Sequence, residues 1–159
     1  MTEQYRLEKS LWTADDFEVM GWHDSKLWAM VADEETFEFA MDLDYIFKWV
    51  HPGPGETHFR FWVAPVTMVF ENASDVTLNI ESWQGGIEVA DLHREDSKPT
   101  PNGALTDYLF RFECQEGEIS LRATGYRLYV RSEPRFMRAQ CFSLEERGGL
   151  SVERRVFAV

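Results

Sequence analysis

The nine residues Thr36–Asp44, T-F-E-F-A-M-D-L-D, place Phe37, Phe39, Met41 and Leu43 on one side of an extended chain and Glu38, Asp42 and Asp44 on the other. Successive side chains of a β-strand point to opposite faces, so this period of two predicts a strand with one face in a core and the other in water. Lys26–Ala32 (K-L-W-A-M-V-A) precedes it, and the intervening D-E-E reads as a turn, so the two segments are expected to pair as an antiparallel hairpin.

The same alternation extends outward. Phe59–Val63 and Val66–Phe70 flank Pro65, which cannot donate to a ladder and marks a bulge, kink or edge. Val76, Leu78 and Ile80 form an apolar face before Gly85-Gly86, a pair suited to a tight turn, and Ile87–Leu92 is expected to return beside it. Arg94–Ala104, with two prolines and no apolar period, reads as an exposed loop. Strands follow at Leu105–Cys114, Glu118–Thr124 and Tyr126–Arg131, and a last hairpin is expected from Arg138–Glu145 and Ser151–Val159 about R-G-G. Thr13 ahead of Ala14-Asp15-Asp16 starts one short N-terminal helix, with Phe17 and Met20 facing the core. The expected fold is all-β with minor α, an antiparallel β-sandwich or flattened barrel of about nine or ten strands. Residues 1–159 form a single domain on this reading.

Composition narrows the function classes. The formal net charge of −12 repels phosphate backbones and argues against nucleic acid, while a basic protein would be steered toward the chain. The charge is unevenly spread: net −9 over residues 1–58 and net +4 over residues 122–159, so the basic C-terminal part is expected to pair with acidic strands of the same molecule. Cys114 and Cys141 each lie in an apolar run and read as free thiols of a reducing compartment. With no signal-like or membrane-spanning apolar stretch in the sequence, the expected location is the cytoplasm.

Candidate chemistry is sparse. None of His23, His51, His58 and His93 stands in a metal-ligand spacing, and no Gly-rich phosphate loop or nucleophile elbow occurs, so neither metal nor cofactor is expected. In W-H-D, Trp22-His23-Asp24, a histidine beside a carboxylate has the makings of an oriented general base, but the sequence offers no nucleophile. The plainer reading is that His23 and Asp24 tie down a turn. Asp42 and Asp44 stand about 7 Å apart on one strand face, a spacing that suits a cation or an acid–base pair. The plainer reading makes them, with Glu38, part of a solvated acidic face.

The segments G-W-H-D, D-L-D-Y-I-F-K-W, F-W-V-A-P and L-E-E-R-G-G resemble a small family of uncharacterised bacterial proteins, a likeness that spans most of the chain and carries no established activity. An H-D dipeptide leading into an alternating strand is also similar to the opening of several β-rich bacterial immunity proteins, which neutralise toxins by binding them. The leading expectation is therefore a non-enzymatic, immunity-like protein that binds a basic partner through Glu38, Asp42 and Asp44. Two alternatives stand beside it. One is a small-ligand binder with a cavity lined by Trp28, Trp49, Trp62 and Trp83, and the other a hydrolase or isomerase using His23 and Asp24 with Asp42 and Asp44. Exposed sheet edges leave a homodimer open.

Overall fold

The structure is a computed structural model that describes residues 4–159. Its ten strands are β1 (Leu11–Thr13), β2 (Ser25–Asp33), β3 (Glu38–Val50), β4 (Arg60–Glu71), β5 (Ser74–Ile80), β6 (Ile87–Pro99), β7 (Thr106–Cys114), β8 (Gly117–Ala123), β9 (Gly125–Val130) and β10 (Arg135–Met137). All belong to one antiparallel sheet of order β1-β9-β4-β3-β2-β6-β7-β8-β5, with β10 also on β4. The chain is all-β, as its alternation predicts.

Two long bent strands roll this sheet up. β4 continues into β5 across Asn72 and Ala73, and β8 into β9 across Thr124 alone. Because β5 pairs with β8 and β4 with β9, the two bent strands form one ribbon that closes the circuit β4-β3-β2-β6-β7-β8 into a barrel. Of the two architectures the alternation allows, the single sheet is that of the barrel. Pro65 sits where β4 exchanges neighbours, from β10 opposite Val63 to β9 opposite Val66, and its carbonyl accepts from the Arg131 amide. A residue without an N–H is tolerated at such a junction.

The interior is filled by alternate residues: Phe39, Met41 and Leu43 of β3, Val66, Met68 and Phe70 of β4, Phe110 and Phe112 of β7, Ile119 and Leu121 of β8, Tyr126 and Leu128 of β9. Phe70, Phe110, Phe112 and Tyr126 meet ring to ring, with centroids 5.1–5.9 Å apart. Such offset and edge contacts add to the area buried. The expected N-terminal helix is a 3₁₀ helix, Ala14–Val19, with a reciprocal Thr13–Asp16 cap, and Phe17 and Met20 pack on the core. No helix among the described residues is long and apolar enough to cross a membrane.

Four local expectations are corrected. β5 and β6 do not form a hairpin: β5 runs beside β8 with Val76 and Leu78 exposed, while β6 lies between β2 and β7. Phe37 lies in the β2–β3 turn at φ 57 and is exposed instead of entering the core. Arg94–Pro99 is strand, since β6 runs on beside β7 and Arg94 stacks over Phe17 and Tyr108. The final hairpin does not form, and residues 138–159 contain no strand. Ser143-Leu144-Glu145-Glu146 is instead a capped helical turn: the Ser143 amide donates to Glu146 Oε1, the Glu146 amide donates to Ser143 Oγ, and Gly148 and Gly149 leave it at φ 78 and 94. This segment crosses the outer face of the barrel as an irregular strap.

Gly117 closes the β7–β8 turn at φ 144, where an added Cβ would collide with the Asn79 carbonyl oxygen. Gly117→Ala is expected to cost about 1–3 kcal/mol, read as a lower denaturation midpoint with an unchanged slope.

Candidate functional site

Asp42 and Asp44 stand on the outer face of β3, where the alternation puts them, but that face is dry. Both are 0% exposed, as is Thr67 on β4, because the strap covers them. Arg147 donates from Nη2 and Nη1 to the two oxygens of Asp42 at 2.7 and 2.8 Å, and from Nε to Asp44 Oδ1 at 3.1 Å. Arg131 adds bonds to Asp42 Oδ1 (2.8 Å) and Thr67 Oγ1 (2.7 Å). Trp28 Nε1 and the Phe142 amide donate to Asp44 Oδ2, and the Ser151 amide donates to Asp42 Oδ2. All four carboxylate oxygens are thus satisfied internally. The expectation of a solvated acidic face fails for these two residues, which have no surface to offer a partner and no lone pair directed at a substrate.

Glu38, the third residue of that face, is half-buried and paired bidentately with Arg154 at 2.8 and 3.0 Å. The excess base of residues 122–159 is therefore largely spent inside the molecule, as the charge asymmetry predicts, though Arg147 and Arg154 act from the strap and not from strands. The readable sign of this was S-L-E-E-R-G-G, a capping box followed by glycines, which fits a helical turn better than a hairpin.

His23 and Asp24 stay within ion-pair distance of each other but have different further partners. His23 is exposed and stacks on Trp49 with centroids 5.6 Å apart, and its Nε2 lies 3.5 Å from Asp24 Oδ2. Asp24 is held at φ 64, a conformation a non-glycine residue seldom adopts, with its amide donating to the Val89 carbonyl. That backbone aims its carboxylate into a surface groove of about 460 Å³ and not at the histidine alone. Gln140 of the strap donates to Asp24 Oδ2 at 2.7 Å. The structure brings neither His23 nor Asp24 together with the sealed pair Asp42 and Asp44.

The groove is the concave feature these residues build. Asp24 and Lys26 come from β2, Glu88 from β6, Glu81 and Trp83 from the β5–β6 turn, Glu116 from the β7–β8 turn, and Gln140 and Cys141 from the strap. Four carboxylates thus face one lysine, whose Nζ is drawn 4.0 Å over the Trp28 ring. Partial burial, and then the hydrogen bond and charge of Asp24 and the charge of Glu116, push the Glu88 carboxyl above the ordinary range. Its amide donates to Glu116 Oε1 at 2.7 Å, which fixes that neighbour. Trp83 stands at the rim and is 93% exposed, on a turn held by Ser82 Oγ donating to the Gly86 carbonyl at 2.6 Å. Trp83, expected as the lining of an enclosed cavity, is instead exposed. Its place in E-S-W-Q-G-G, outside any alternation, was the signal for exposure.

The other tryptophans do not line an interior cavity. Trp28 lies beneath Lys26 and Arg147, Trp62 against Tyr5 and Phe136, and Trp49 between His23 and Phe61. A hollow lined by Trp12, Tyr45, Phe47 and Trp49 holds about 210 Å³. Ligand sites ordinarily span about 300–1,000 Å³, a range that admits the groove and not the hollow. Neither thiol is primed as a nucleophile: burial, followed by the nearby Glu116, Glu113 and Glu118 charges, pushes Cys114 up to about 11, and burial raises Cys141.

No protein-family model matches the chain, and neither a curated protein nor a solved structure matches it.

Two outcomes test these assignments. Arg147→Met leaves two buried carboxylates short of charge and is expected to cost about 3–5 kcal/mol of unfolding free energy by denaturant titration, with Arg147→Lys recovering only part because it cannot bond both acids. Glu88 contributes its stability below the ordinary carboxylate range and loses it as pH rises through its raised value. Glu88→Gln is accordingly expected to raise Tm at neutral pH and to flatten the decline of Tm between mildly acidic and neutral pH.

Proposed function

We propose that this chain is a non-enzymatic binding protein of the immunity type, and that its acidic groove takes a basic segment of another protein. The observation that carries this reading is the exposed indole of Trp83 beside a groove walled by Asp24, Glu81, Glu88 and Glu116 with Lys26 as the one cation among its described lining residues. A lysine or arginine entering there meets carboxylates for charge-assisted hydrogen bonds and an aromatic face for its cationic head. Tryptophan is the residue most enriched at the energetic centres of interfaces. The net charge of −12 would speed encounter with a cationic surface.

The enzyme reading draws less support. It needs His23 and Asp24 to share a centre with Asp42 and Asp44, whereas those acids are saturated by Arg131 and Arg147. The acidic surface invoked for partner binding shifts accordingly, from Glu38, Asp42 and Asp44 to the groove.

A nona-arginine peptide is a suitable probe, followed at low salt by Trp emission. Binding is expected to shift the emission, weaken steeply with added salt, and fall at least tenfold in Trp83→Ala and in the double variant Glu88→Gln/Glu116→Gln. The variant Glu34→Gln/Glu35→Gln, which removes the same charge from the exposed β2–β3 turn, should bind almost as the parent does. Equal losses in the two double variants would reduce the effect to net charge and overturn the assignment of the groove.

A further inference from the structure

A separate cluster lies further along the outer face of β6 and β7. Strict alternation on β6 is broken at Ala90: Val89 pairs with Cys114, but Asp91 pairs with Glu113, so two residues of β6 oppose one step of β7. This bulge keeps Val89 and Leu92 in the core and turns both Asp91 and His93 outward on one face, with Glu113 directly across from Asp91. The three side chains converge. His93 Nε2 lies 3.5 Å from Glu113 Oε2 and 3.9 Å from Asp91 Oδ2, and one donor atom from each lies within 4.8 Å of the other two. The Leu92 amide donates to Asp91 Oδ1 at 2.8 Å, which orients that carboxylate and leaves Oδ2 facing the imidazole.

We propose that Asp91, His93 and Glu113 form a binding site for a divalent transition-metal ion, and that zinc is the ion that suits it. Zinc takes imidazole nitrogen and carboxylate oxygen at about 2.0–2.2 Å, and donors arranged tetrahedrally at that distance stand about 3.4 Å apart. The separations from His93 are close to that value, so small rotations of the half-buried His93 and the exposed Asp91 and Glu113 complete the set. Imidazole with carboxylates favours zinc over calcium or magnesium, which prefer all-oxygen shells. Three protein ligands leave a fourth position for water. The sequence carried only a trace of the site, D-L-H at alternate positions of a strand, because the third ligand arrives through the register of a neighbouring strand.

The test is a zinc titration of the untagged full chain against a chromophoric chelator, at a pH where the imidazole is neutral. One equivalent is expected to bind. His93→Ala should abolish it, Asp91→Asn and Glu113→Gln should each weaken it at least tenfold, and His51→Ala/His58→Ala should leave it unchanged. Because His93 is partly exposed, its removal is expected to leave the circular dichroism spectrum intact. The histidine proton resonances give a second readout, in which zinc should shift His93 alone. Absence of saturable binding, or one equivalent retained in His93→Ala, would overturn the site.

Discussion

The charge balance at Arg147 constrains the rest of the molecule. Its guanidinium reaches two aspartates from adjacent outward positions of one strand, and Arg131 completes the neutralisation. A buried ion pair adds little net stability over a well-packed apolar group, but removing one member is costly. The cluster therefore acts less as a source of stability than as a specification: the outer face of β3 can be dry only if the strap lies in one place. That placement puts Phe142 against Ile46, Phe61 and Val63, and delivers Gln140 and Cys141 to the groove.

This division of the charge shapes the surface. Arginines that would have offset the acids of the first half are drawn inside to Asp42, Asp44 and Glu38, or into pairs such as Arg122 with Asp96 and Asp107. The carboxylates of the groove are left facing one lysine, and the Glu88 carboxyl is raised first by its partial burial and then by its acidic neighbours Asp24 and Glu116. The acidity of the sequence is thus concentrated by the fold.

What the sequence revealed and concealed follows from the range of the interactions. Strand alternation, turn glycines and the Thr13 cap are local, and β2 through β9 were all legible, with errors at their ends. Asp42 and Asp44 were read correctly as outward and wrongly as wet, because alternation reports which face of a sheet a residue occupies and not what lies over that face. The covering residues are 98 to 109 positions away from their partners. Trp83 and the Asp91, His93, Glu113 cluster were hidden for a related reason, since each depends on a turn or a register that brings distant residues together.

The distance along the chain between Asp44 and Arg147 also orders events during synthesis. The first hairpin leaves the ribosome with two acids destined for a dry environment, and their counter-ions follow only after every strand of the barrel has been made. Until then those carboxylates must stay hydrated, which keeps the outer surface of the early sheet open to water and discourages premature collapse or sheet-to-sheet association. Sealing of the outer face of β3 is thereby deferred until Arg131 and Arg147 have been made.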